Sequence, residues 1–201
     1  MRLKYASTVA LLTTLSIAGV VALAGCGTSG TSGGGGQANY IAGTGGISTV
    51  PRKERKTPNE DEFKGLTLQG DHFALGSLKG KVVVINVWGS WCPPCRAEAP
   101  HFAKVARQTK NQGVAFIGIN TRDTNQDKGI AFEKEYNVTY PSLYDPTGRV
   151  VLNGFPKGSL NPQTIPSTIA LDRDGKIAAR ALRPLTEENL HQMIDPLILE
   201  K

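Results

Sequence analysis

The chain has little with which to hold a metal or staple a fold. Three of its 201 residues are cysteine (Cys26, Cys92 and Cys95), and the three histidines, His72, His101 and His191, stand singly. A structural zinc site usually needs four ligands, and a disulfide scaffold needs cysteine throughout a short chain. Haem attachment through C-x-x-C requires a histidine next, where Arg96 follows Cys95. No metal and no cofactor is expected. Charge of one sign is also lacking. The formal net charge is +6, but from residue 60 onward basic and acidic residues differ by a single charge. That leaves no global basic signature for nucleic acid. Long apolar runs are limited to Thr8–Ala24, which is long for a signal core and short for a membrane span.

What is present centres on residues 82–98. Val82 to Val87 is almost wholly apolar and β-branched, as suits a strand buried on both faces of a sheet. Gly89 and Ser90 break it. Cys92 then stands at the mouth of a helix whose first turn holds Pro93 and Pro94, where an amide without a helical partner makes proline tolerable. Ala99, Phe102, Ala103 and Ala106 continue an apolar face at helical spacing. The positive end of a helix favours an anion, so a thiol there ionises readily, and the thiolate is the nucleophile. Cys95 lies three residues on, on the same face. It can close a disulfide with Cys92 or resolve a mixed disulfide that Cys92 has formed. Cys92, nearer the helix start, is expected to be the exposed thiol.

With Trp91-Cys92-Pro93-Pro94-Cys95 and with Pro100, five residues after the second cysteine, the sequence resembles the thioredoxin superfamily. Glu98, three residues after Cys95, narrows the resemblance to TlpA/ResA-like thiol-disulfide oxidoreductases. It runs from about Phe63 to the C-terminus. Peroxiredoxins of the same fold usually carry threonine where Gly89 stands. The resemblance implies an α/β, thioredoxin-like domain: a mixed central β-sheet, helices on both faces and an N-terminal β-hairpin addition. It also implies that Ile165-Pro166 is the cis-proline loop opposite the cysteines, with Ile165 pairing backbone groups with substrate. Trp91 is expected to cover the thiols as an apolar rim, and Trp88 to pack in the core. Asn86 stands where many thioredoxins have a buried aspartate, which leaves Glu98 as the candidate for managing protons during exchange.

The N-terminus reads as an export address. Arg2 and Lys4 precede the apolar run, which ends in Leu23-Ala24-Gly25-Cys26. That resembles a bacterial lipobox, with Cys26 lipid-modified. The expected organisation is a signal peptide over 1–25, a flexible Gly/Ser-rich tether over 26–59 and the thioredoxin-like domain over 60–201. As a coil, the tether would reach about 30 Å. Its Pro51-Arg-Lys-Glu-Arg-Lys cluster reads as solvated linker.

Further along, Leu66–Leu75 suggests a hairpin turning at Gln69-Gly70-Asp71, and Val114–Asn120 a second buried strand. Asn125–Asn137 reads as a helix with Ile130, Phe132 and Tyr136 inward and Gly129 weakening it. Val150–Phe155 is a short helix or a turn. Residues 167–181 form a hairpin about Arg173-Asp174-Gly175, and Thr186 caps a last helix that Pro196 should kink or end.

The expected protein is a monomeric, extracytoplasmic thiol-disulfide oxidoreductase, lipid-anchored to the cell membrane through Cys26. Cys92 would attack a protein disulfide and Cys95 would resolve the intermediate. The resemblance implies substrates such as oxidised apocytochrome c and a membrane dithiol donor of the CcdA/DsbD type. The alternatives are a disulfide-forming oxidase of the same fold, or a non-enzymatic metal- or redox-binding lipoprotein.

Overall fold

The computed structural model describes residues 39–200. In chain order its elements are β1 (Ile41–Ala42), β2 (Ile47–Thr49), β3 (Lys64–Leu66), β4 (His72–Ala74), β5 (Val82–Trp88), α1 (Pro93–Thr109), β6 (Val114–Thr121), α2 (Gln126–Glu135), β7 (Ser142–Asp145), α3 (Arg149–Asn153), β8 (Ser167–Leu171), β9 (Ile177–Ala181) and α4 (Glu187–Leu199). The expected signal segment and the expected lipidation site Cys26 lie outside the described residues.

Seven strands form one mixed sheet in the order β1-β2-β9-β8-β5-β6-β7. The expected strand at 82–87 is β5, an interior strand of this sheet, and all seven of its residues are buried. It pairs in parallel with β6 and antiparallel with β8. The period of two along β5 divides the core. Val83, Ile85 and Val87 join Ile117, Ile119, Ile169, Phe63 and Val150 on one face. Val82 and Val84 join Phe102 and Val105 of α1 and Leu190 and Ile194 of α4 on the other. Each fully buried valine or isoleucine contributes about 1.5–3 kcal/mol, so a polar replacement of any of these would be costly. The fold is thioredoxin-like, with helices on both faces.

The hairpin β3–β4 forms a separate two-stranded sheet and docks on the rim of β7, where the amide of Leu68 donates to the carbonyl of Ser142. Gly129 packs there rather than merely loosening α2: a Cβ on it would lie 2.7 Å from Leu68 Cδ2. Ile130, expected inward, is 39% exposed, because only Phe132 and Tyr136 of that stripe reach the cluster around Trp88. Residues 149–153 are helical. Thr186 caps α4 by accepting from the Asn189 amide. Pro196 does not end α4, which runs to Leu199.

The boundary at residue 60 requires correction. Residues 39–59 are not tether but part of the domain. β2 adds to β9 in antiparallel register, with Ile47 opposite Ala181. Tyr40, Ile47 and Val50 are buried, and Arg55 bonds Asp172 at 2.9 Å and Glu200 at 2.6 Å. The physical cause is the edge of β9, whose unpaired backbone groups offer a template to any nearby chain.

Candidate functional site

β5 delivers the chain to a tight loop in which the Cys92 amide bonds the Gly89 carbonyl at 3.1 Å. The loop is held from beneath by Asp123, which follows β6 and is 2% exposed. Its carboxylate accepts from the Ser90 amide at 2.9 Å, the Ser90 hydroxyl at 2.6 Å and Asn120 Nδ2 at 2.6 Å. Its carbonyl accepts from the Tyr144 hydroxyl. Sequence reasoning missed Asp123; an aspartate after an apolar strand looks like an ordinary turn residue until its partners are seen. Gly89 has a steric duty, because a Cβ there would lie 2.6 Å from Trp91 Nε1.

Cys92 takes extended dihedrals and is the N-cap of α1, its sulfur accepting from the Cys95 amide at 3.3 Å. The two cysteines form a disulfide, with Cα atoms 5.3 Å apart. In this oxidised form both cysteines are buried, Cys92 2% and Cys95 1% exposed; the exposure expected of Cys92 is that of the reduced thiol. Leu68, Trp88, Ala99 and Phe132 pack around them, with Trp88 and Phe132 stacked at 4.2 Å. Ile165 packs against the same cluster, and the Ile165–Pro166 bond is cis. Trp91 forms an outer rim, 48% exposed.

Glu98 is the buried acid of the site, 2% exposed on the inner face of α1. Asn86 Nδ2 donates to its Oε1 at 2.8 Å and the Leu185 amide to its Oε2 at 2.9 Å. No cation pairs with it among the described residues. Burial therefore dominates over the two donors and pushes its pKa up to about 8. Asn86, expected only as a missing base, is the group that orients this acid. The structure thus brings Cys92, Cys95, Ile165 and Trp88 into one cluster, and places Glu98 one turn past Cys95. Among the described residues no group of three or more potential ligands could hold a metal ion.

Known proteins share this arrangement of fold and sequence. The Redoxin family matches residues 52–194. The thiol-disulfide oxidoreductase ResA of Bacillus subtilis is 33% identical over 129 residues, spanning 63% of this chain and 66% of that protein. ResA of a Bacillus cereus strain is 30% identical over 68% of this chain and 73% of its own length. Among solved structures, a DsbF homologue from Corynebacterium diphtheriae superposes with a TM-score of 0.69 at 33% identity, covering 77% of this chain and 95% of that one.

Proposed function

The chain belongs to the Redoxin family and is a thiol-disulfide oxidoreductase of the ResA type, and from that premise we propose that it works as an extracytoplasmic, membrane-tethered reductant of protein disulfides. The observation that carries the reading is the Cys92–Cys95 disulfide at the head of α1, packed against the cis-proline loop with a buried acid one turn away.

In the reduced form the Cys92 thiolate, stabilised by the Cys95 amide and the helix terminus, attacks one sulfur of a substrate disulfide. The substrate's other sulfur leaves as a thiolate and takes a proton. Cys95 loses its proton and attacks the Cys92 sulfur of the mixed disulfide. That releases the second substrate thiolate and regenerates the Cys92–Cys95 disulfide. Glu98 is largely protonated at neutral pH and ionises just above it, so it suits both giving and taking a proton near Cys95. Ile165 offers its backbone to the incoming chain and Trp91 its exposed ring.

Oxidised apocytochrome c fits as substrate and a CcdA/DsbD-type membrane dithiol as donor. Cys26 fits as the lipid anchor, with 1–25 as signal peptide. No helix among the described residues is long and apolar enough to cross a membrane. Insulin reduction by residues 39–201 tests the chemistry. Turnover should vanish in Cys92→Ser, while Cys95→Ser should accumulate mixed disulfides. Equal trapping by both variants would overturn the assignment of nucleophile. Lipid labelling that persists in Cys26→Ser would remove the anchor.

A further inference from the structure

Arg122 stands in the left-handed region, with φ of 60°. Among the described non-glycine residues only Asn137 shares a positive φ, and asparagine tolerates it well where arginine does not. The surroundings impose this conformation. On one side Thr121 is paired with Asp145 across β6 and β7. On the other, Asp123 is fixed by Ser90, Asn120 and Tyr144. The result is an exposed guanidinium 4.7 Å from the centroid of the Trp91 ring. Trp91 is itself backed by Gly89, where no side chain fits. Gly89, Trp91 and Arg122 therefore make a stack immediately before Cys92.

A groove of about 150 Å³ adjoins Arg122. Its other walls include Thr121, Leu152, Pro162 and Gln163, and Arg122 is the only charged residue lining it among the described residues. Leu152 is 59% exposed, an apolar side chain with an open face. Pro162 and Gln163 belong to the loop that ends in the cis Ile165–Pro166 bond, so the groove shares a wall with the segment proposed to bind substrate. Arg122 makes no ion pair among the described residues. Its neighbour Asp123 is turned inward and does not neutralise it. A guanidinium with open donors donates two parallel hydrogen bonds to a carboxylate.

We infer that Arg122 and its groove select protein segments that carry an aspartate or glutamate beside the disulfide to be reduced. This rests on the reductase reading above. The occupant is an extended, acidic stretch of the substrate protein: its carboxylate meets Arg122 and an adjacent apolar side chain meets Leu152.

The test uses the reduced full chain and peptides whose single cysteine is linked through a disulfide to 2-mercaptoethanol, flanked by Glu, Gln or Lys. The readout is the ratio of the single-turnover second-order rate constant for the Glu peptide to that for the Gln peptide, which makes each variant its own control for folding. The ratio should be about five in the wild type at low salt, a size typical of one rim charge. It should fall toward one in Arg122→Gln and at high salt, and persist in Arg122→Lys. The Lys peptide should be the slowest with the wild type. An equal ratio in the wild type and Arg122→Gln would overturn the inference, leaving Arg122 as a cover for Trp91. Reduction of the Gln peptide would still uphold the reductase reading in that case. No reduction of any peptide would overturn both.

Discussion

Two buried ionisable groups in this molecule have opposite fates. Arg55, on the segment that joins the sheet through β2, has a side chain 9% exposed and meets Asp172 and Glu200. Burial works against its charge, and the two carboxylates override it, so Arg55 stays ionised. Glu98, one turn along α1 from Cys95, is more deeply buried and has two neutral N–H donors and no cation among the described residues. There burial wins, and the acid stays largely protonated at neutral pH. Burial alone does not decide what an ionisable group is for; its partners do. The N-terminal seam pairs its charge and gains attachment. The site gives its acid no cation among the described residues, so the acid stays largely protonated, as the proposed role in proton transfer requires.

The largest effect expected at the seam comes from beginning the chain at residue 60. That removes Tyr40, Ile47 and Val50 from the core, re-exposes the β9 edge and leaves the buried Asp172 without Arg55. Stability should fall by about 4 kcal/mol relative to a chain beginning at residue 39, read from urea unfolding. Equal midpoints would mean that residues 39–59 are tether after all.

Glu98 comes next. Its pKa is raised from 4.5 to about 8 in the fold, so its contribution to stability is complete below pH 4.5 and is lost as pH rises through 8. Between about pH 5 and 8 the wild type should lose on the order of 3 kcal/mol from this group. Glu98→Gln, which cannot ionise, should flatten that slope. In the reduced chain the same variant should shift iodoacetamide labelling of Cys92 to lower pH, because a negative neighbour has gone. Superimposable profiles in both measurements would make Glu98 a structural acid only.

Arg55→Met should cost about 2 kcal/mol, less than truncation because Tyr40, Ile47, Val50 and the pairing of β2 with β9 stay in place, and Asp172 keeps the amides of Asp174 and Lys176. Insulin reduction per folded molecule should be unchanged, since the seam serves the fold and not the exchange. Ile130→Gln should cost less than about 0.5 kcal/mol, as for other exposed positions. A larger loss would restore the inward orientation that helical spacing suggests.

The same contrast explains what was legible in the sequence. β5, the helix mouth, Cys92, Cys95 and Glu98 could be read because one local stretch carries an apolar run, its break, two prolines and two thiols. The cis bond at Pro166 was legible only through the family resemblance. The β2 strand was not, because a few scattered apolar residues in a polar stretch show no period, and their partner β9 is far away in the chain. Asp123 and Arg122 were hidden for the same reason. Their significance depends on Ser90 and Trp91, which reach them only after β5 and β6 have paired.

Whether the helix-capping dithiol serves as a reductant is tested most directly by the reduction potential of the Cys92–Cys95 pair, measured on residues 39–201 against glutathione or dithiothreitol buffers. The expected value is about −250 mV or lower, in the range of reducing thioredoxins. A value near about −120 mV, that of a strong disulfide donor, would contradict the reductant reading.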